Sequence, residues 1–139
     1  MRRLSFAAAA IAALLVSAAA LADPARDAIL AAFADQAKSA DAAFAGFSTD
    51  RGRAFWTATH SGGKPDTPSC TTCHGADPKA AGQTRAGQSI APMAISVTPD
   101  RFTDPEKVAK WFLRNCNSVL GRECTAAEKG DVITYLSSQ

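Results

Sequence analysis

The sequence predicts an all-α fold, in which amphipathic helices are joined by long loops. Apolar residues recur at intervals of three and four in several segments, and helix-capping residues precede these segments. Between Gly75 and Thr103 the chain is instead rich in Gly, Pro, Ala and Thr and has little periodicity. So long an irregular segment is uncommon in an ordinary domain, and it is typical of a chain that wraps around a cofactor.

The N-terminus is predicted to be a secretory signal peptide over residues 1–22. Arg2 and Arg3 precede an apolar run, and Ala20 and Ala22 supply the small residues of a cleavage site. A membrane anchor is the alternative, but the run is Ala-rich and barely long enough to span a bilayer. We therefore expect a single periplasmic domain over residues 23–139 that is not embedded in the membrane.

The charge balance does not favour nucleic acid or an acidic membrane surface as a partner. The chain has 15 Lys and Arg residues against 13 Asp and Glu residues. Removal of Arg2 and Arg3 with the signal peptide makes the mature chain formally neutral, and no basic tract remains.

Two helices are predicted before the first cysteine. Asp23 and Pro24 form a good start for the first, and its apolar face comprises Ile29, Phe33, Ala37, Ala40, Phe44 and Phe47. Whether this segment is one helix or two, broken near residues 39–41, stays open. The second helix has the sequence DRGRAFWTAT, with Ser48 or Thr49 as its cap.

Two further helices are predicted to close the chain, each beginning with a capping box. The first box is Thr103 to Glu106, and the helix PEKVAKWFLRN after it places Val108, Trp111 and Phe112 near one face. The second box is Thr125 to Glu128, and the helix after it has the apolar residues Val132, Ile133, Tyr135 and Leu136.

The stretch CTTCH, from Cys70 to His74, is the motif with the most specific chemistry. Two cysteines at this spacing form thioethers with the two vinyl groups of one haem, and the adjacent histidine becomes an axial ligand of the iron. A redox-active CxxC is the alternative, but no strand pattern precedes Cys70. Since the motif occurs once, we expect one covalent haem c, held by Cys70, Cys73 and His74.

The surroundings of this motif resemble a class I cytochrome c. In that fold a glycine and an aromatic residue on an N-terminal helix pack against an aromatic residue on the C-terminal helix. Gly52, Phe55 and Tyr135 are the matching residues. The resemblance implies a class I cytochrome c-like fold, with helices and long loops wrapped around one covalent haem.

The remaining cysteines, Cys116 and Cys124, are expected to form a disulfide in an oxidising compartment. A four-cysteine zinc site would need two pairs of similar spacing, whereas here two and seven residues intervene. A disulfide across so short a loop would constrain the unfolded chain by about 3 kcal/mol. It would also fix the backbone beside Asn115.

The second axial ligand of the iron has several candidates. Met93 has the preferred thioether, but it lies only 19 positions after the histidine of the motif, and methionine is also an adaptable core residue. His60 lies in the loop that leads into the motif, and Tyr135 fits better in the core. Asn115 would be unusual, because asparagine near a helix end is normally a cap or solvated.

Three stretches resemble the sphaeroides haem protein (SHP) family of oxygen-binding cytochromes c: GGKPDTPSCTTCHGAD, TPDRFTD and RNCNSVLGREC. The resemblance covers residues 51–139. It implies haem attachment through Cys70, Cys73 and His74, Asn115 as the distal iron ligand, and a disulfide between Cys116 and Cys124. The family commonly has a leucine where this chain has Met93, so methionine stays open as the alternative distal ligand.

The resemblance also predicts a function. An amide oxygen is a weak ligand that suits ferric better than ferrous iron, so reduction would release Asn115 and let ferrous haem bind O2, NO or CO. The implied electron donor is a dihaem cytochrome c or another periplasmic protein. Whether the protein also turns over as an oxidoreductase, by O2 reduction or NO detoxification, stays open. One alternative is an ordinary His/Met electron carrier. Another is a peroxidase or sensor module, for which His60 would be the only evident acid–base group.

Overall fold

The protein is a set of helices with one short hairpin. A computed structural model describes residues 22–139, so residues 1–21 of the predicted signal peptide lie outside the described part. The elements in chain order are α1 (Pro24–Ala40), α2 (Thr49–Thr57), α3 (Thr71–His74), β1 (Gly82–Gln83), β2 (Ser89–Ile90), α4 (Pro105–Leu120) and α5 (Ala126–Ser137).

Helix α1 begins and ends where local chemistry requires. The carboxylate of Asp23 accepts a hydrogen bond from the backbone N–H of Ala25 at 2.9 Å, which satisfies a donor that the helix itself leaves unpaired. The helix ends at Ala40, so Phe44 and Phe47 are not on its face. Their rings contact each other instead, with centroids 5.2 Å apart, in the segment that leads to α2.

The caps of α2 and α5 are as predicted. Ser48 is the cap of α2, and its hydroxyl accepts from the backbone N–H of Arg51 at 3.2 Å. At the start of α5, Thr125 and Glu128 form a reciprocal capping box. The side chain of each accepts from the backbone N–H of the other, at 3.2 and 2.7 Å, so two donors at the helix start are paired.

Helix α4 departs from the prediction at both ends. Thr103 does not cap it, because its hydroxyl donates to the backbone carbonyl of Asp100. The cap is Asp104, whose carboxylate accepts from the first turn of the helix; a negative charge at this end is also favoured by the helix dipole. The helix does not stop at Asn115 but continues to Leu120.

The core lies where α5 packs against α2 and α1. The predicted apolar residues of α5 are buried there: Val132, Ile133, Tyr135 and Leu136. Gly52 permits the close approach of α2, because a Cβ at this position would collide with the backbone carbonyl of Asp131. This is the packing of a glycine on an N-terminal helix against a C-terminal helix that the sequence predicted.

Trp111 corrects the predicted apolar face of α4. Val108 is buried and Phe112 packs against the core, but Trp111 is 51% exposed. The buried face of the helix continues through Cys116 and Val119, and at 100° per residue this line leaves Trp111 on the flank. The prediction that Trp111 belongs to the buried face of α4 was therefore wrong.

The hairpin supports the segment that bears the CTTCH motif. Strands β1 and β2 are antiparallel, with Gly82 opposite Ile90. A Cβ on Gly82 would collide with the backbone carbonyl of Cys73, so the hairpin lies directly against the motif. Among the residues that the structure describes, none of the helices combines the length and the apolar character needed to cross a bilayer.

Candidate haem-binding site

A cavity brings the two halves of the predicted site together. It encloses about 590 Å³, including its opening to solvent. Cys70, Cys73 and His74 line it from one side and Asn115 from the other. These residues are up to 45 positions apart in the chain, so the shared cavity is a result of the tertiary fold.

The motif adopts a single helical turn, α3. The hydroxyl of Ser69 accepts from the backbone N–H of Thr71 at 3.2 Å, which pairs a donor at the start of this turn. Cys70 and Cys73 are free cysteines and half-buried, so both sulfurs remain available. Burial raises the pKa of the Cys70 thiol to about 11, because the apolar surroundings disfavour a thiolate.

His74 is held neutral on the cavity wall. Its burial, and to a smaller extent the positive charge of Arg101, lower its pKa to about 4. The ring of Trp56 lies beside it, with centroids 5.2 Å apart and planes at 34°. Since only a neutral imidazole can donate a lone pair to iron, His74 is in the protonation state that a ligand requires.

The carboxyl-terminal part of α4 carries the other half of the site. Asn115 is exposed at the cavity wall, and the next residue, Cys116, forms a disulfide with Cys124 with 5.6 Å between their Cα atoms. The expected disulfide is thus present. It joins the last turns of α4 to the segment that precedes α5.

A hydroxyl pair adds a second restraint on α4. The hydroxyl of Thr67 lies 2.9 Å from that of Ser118 and donates to the backbone carbonyl of Ser118 at 3.1 Å. The backbone N–H of Lys64 donates to the same carbonyl at 2.7 Å. The loop before the CTTCH motif is therefore attached to the helix that carries Asn115.

The other candidate ligands do not line this cavity. Met93 packs against the core cluster that contains Trp56 and Leu136, and it is not among the described residues that line the cavity. Nor is His60, whose Nε2 lies 3.2 Å from the backbone carbonyl of Phe55. Tyr135 is buried in the same cluster as Met93.

The residues around the cavity fit a covalently attached haem. Haem c attachment uses two free thiols, which form thioethers with the porphyrin, and one neutral imidazole, which binds the iron. All three groups lie on a single turn here. Aromatic and aliphatic side chains complete the walls, as a porphyrin requires: Phe55, Trp56, Phe112, Val119 and Leu120. The Nδ1 atom of His74 is buried without a hydrogen-bond partner in the described part of the chain.

Comparison with known proteins identifies the family. A family model described as a domain of unknown function, DUF1924, matches residues 42–136. The cytochrome c-type protein SHP of Cereibacter sphaeroides is 63% identical over 90 residues, which are 65% of this chain and 70% of that protein. The chain belongs to the SHP family of c-type cytochromes. Membership implies haem c as the cofactor.

Solved structures of related proteins share this fold. The structure of oxidised SHP, described as an oxygen-binding cytochrome c, matches with a TM-score of 0.76 and 52% identity over 85% of this chain and all of that one. Oxidised cytochrome c'' of Methylophilus methylotrophus matches with a TM-score of 0.69 and 29% identity over 81% and 92% of the two chains. In sequence, cytochrome c'' is 38% identical over 71 residues, about half of each protein. The predicted all-α, cytochrome c-like fold is confirmed.

Several residues of this SHP-family site escaped the sequence analysis. Trp56 could have been found, since it is one helical turn after Gly52 on the same face of α2. The Thr67–Ser118 pair carries no sequence signal, because the two residues are 51 positions apart. Arg101 was also missed. Its charge helps to lower the pKa of His74, and its guanidinium donates to the backbone carbonyls of residues 91 and 92.

Proposed function

We propose that this protein is a periplasmic monohaem cytochrome c that binds diatomic gases when reduced. The cavity shared by His74 and Asn115 carries the proposal. It is supported by the similarity to SHP, whose structure is described as that of an oxygen-binding cytochrome c. Bound haem c supplies a redox-active iron that takes O2, NO or CO in the ferrous state.

The proposed roles follow from the chemistry of each side chain. Cys70 and Cys73 hold one haem through thioethers. His74, neutral because burial and Arg101 lower its pKa to about 4, would hold the iron through an imidazole nitrogen. Asn115 would supply an amide oxygen, a neutral and weak ligand that suits ferric iron and would be given up on reduction.

Asn115 suits the role of a ligand that can leave the iron, because its side chain is exposed whereas the backbone of its helix is restrained. The disulfide of Cys116 and the bonds to Ser118 fix the helix on its carboxyl-terminal side. After release, the amide N–H of Asn115 can donate a hydrogen bond to a bound gas, since an amide is both a donor and an acceptor.

Asn115 lines the cavity that contains His74 whereas Met93 does not, which favours Asn115 over a His/Met electron carrier. The electron donor is proposed to be a periplasmic redox protein, such as a dihaem cytochrome c. Reduction of bound O2 or detoxification of bound NO would require electrons from this donor.

Absorption spectra in both oxidation states test this function. We expect a six-coordinate ferric protein that becomes five-coordinate and high-spin on reduction and then binds CO. Asn115→Leu should remove the distal ligand from the ferric form, whereas Asn117→Leu, on an exposed position of the same helix, should leave the spectrum unchanged. A ferrous protein that stays six-coordinate and ignores CO would refute the proposal. A methionine–iron charge-transfer band that Met93→Leu abolishes would do so as well.

A further inference from the structure

Helix α4 carries an exposed cationic and aromatic surface formed by Lys110, Trp111 and Arg114, which we call the Trp111 face. Trp111 is 51% exposed. The Nζ atom of Lys110 lies 5.7 Å from the centroid of its ring, and the guanidinium carbon of Arg114 lies 5.5 Å from it. Arg114 follows Trp111 by three residues and Lys110 by four, spacings that place side chains on the same side of a helix.

The two charges of the Trp111 face are not neutralised within residues 22–139. Lys110 forms no ion pair in this part of the chain, and Arg114 forms neither an ion pair nor a side-chain hydrogen bond there; its guanidinium lies over the indole ring. Every other described arginine bonds to a carboxylate or to a backbone carbonyl: Arg26, Arg51, Arg53, Arg85, Arg101 and Arg122. Arg114 therefore differs from all of them in having no carboxylate or carbonyl partner in this part of the chain.

The Trp111 face adjoins the candidate haem site. Phe112 and Asn115, which follow Trp111 and Arg114 in the chain, both line the cavity. The two sets of residues share one helix whose end is fixed by the Cys116 disulfide. A protein that docks on the Trp111 face would thus lie against the wall of the site on rigid backbone.

From these observations we propose that the Trp111 face is the docking surface for an electron-transfer protein with an acidic surface. Tryptophan and arginine are the residues most enriched in the energetic centres of protein interfaces. Two unneutralised cations complement a cluster of carboxylates and accelerate encounter with it. The inference rests on the proposed function, because it assigns the surface through which the site receives its electron.

Nuclear magnetic resonance tests the location of docking, with flavodoxin as an acidic electron-transfer probe. The chain has two tryptophans, and Trp56, only 3% exposed, is an internal control for Trp111. Titration of the ¹⁵N-labelled haem protein at low ionic strength should shift the indole resonance of Trp111 and the amides of residues 107–114, and leave Trp56 in place. Salt at 0.3 M should reverse the shifts, because it screens the charges.

Variants test the chemistry of the surface. The double variant Lys110→Ala/Arg114→Ala should weaken flavodoxin binding by about tenfold at low salt, whereas the control Lys38→Ala/Arg53→Ala removes the same charges from other exposed positions and should change it little. Trp111→Ala, which removes the ring and no charge, should weaken binding at low salt by tenfold or more.

The inference is overturned if flavodoxin does not bind, if the shifts cluster away from α4, or if the control variant weakens binding as much as the double variant. Binding of CO to the ferrous protein separates this failure from that of the proposed function. Normal CO binding without docking on α4 refutes only the surface, and docking on α4 without CO binding refutes only the gas-binding role.

Discussion

Replacement of Gly52 by alanine would test the contact on which the fold of the site depends. An added Cβ would collide with the backbone carbonyl oxygen of Asp131 and lie 2.6 Å from its carbonyl carbon and 2.8 Å from Cβ of Tyr135. Carbon atoms in contact normally lie about 3.5–4.0 Å apart. Because these neighbours belong to the backbone or adjoin it, no rotamer change relieves the clash, and α2 must move away from α5 by about 1 Å.

The expected cost is the difference between two opposing effects. Overpacking of this kind costs about 1–3 kcal/mol, and the rigid neighbours of Gly52 favour the upper end of that range. Alanine in place of glycine inside a helix returns about 1 kcal/mol. The net loss is therefore about 2 kcal/mol of unfolding free energy, which lowers the melting temperature of a domain of this size by about 8 °C.

Calorimetry and chemical denaturation of the haem-loaded variant would measure this loss. Gly87→Ala is the matched control, because a Cβ there meets no atom within 4 Å and only the positive φ of 79° opposes it. We expect the control to lose about 1 kcal/mol, the cost of a left-handed backbone conformation for alanine. The reasoning is refuted if Gly52→Ala is no more destabilising than Gly87→Ala.

Two further predictions concern stability. Cys116→Ala/Cys124→Ala should lose about 3 kcal/mol of unfolding free energy by the loop-entropy relation, measured by urea denaturation of the ferric proteins, and equal unfolding free energies of variant and parent would contradict it. Asp131→Asn should lose about 1–2 kcal/mol, because the buried carboxylate accepts two bonds from Arg51, at 2.8 and 2.9 Å, and Arg51 is itself largely exposed; an unchanged denaturation midpoint would contradict this.

The parts of the fold that sequence predicted are those with a local cause. Ser48 and the Thr125–Glu128 box identify helix starts because their side chains bond to backbone groups only three residues away. The contact of Gly52 with α5 was predicted through a family resemblance, which stands in for the long-range information that one sequence lacks.

The parts that were missed depend on competition or on distance. Thr103 and Asp104 can each cap the start of α4. The carboxylate of Asp104 accepts the bond from the helix, and the hydroxyl of Thr103 bonds elsewhere. The strands of the hairpin are two residues long each, too short for any periodic pattern. The bond between Thr67 and Ser118 spans 51 residues, so only the folded chain reveals it.

The restraints on α4 bear on how fast the proposed ligand exchange can be. The carbonyl groups in the last turn of a helix lack partners within it, yet here that of Ser118 accepts bonds from Lys64 and Thr67. Together with the disulfide of Cys116, these bonds prevent the helix end from moving as a unit. In the proposed exchange, Asn115 would then leave the iron by rotation of its exposed side chain, a motion that takes picoseconds to nanoseconds. Breakage of the proposed bond to iron, and no rearrangement of the chain, would therefore limit the rate at which the reduced protein opens.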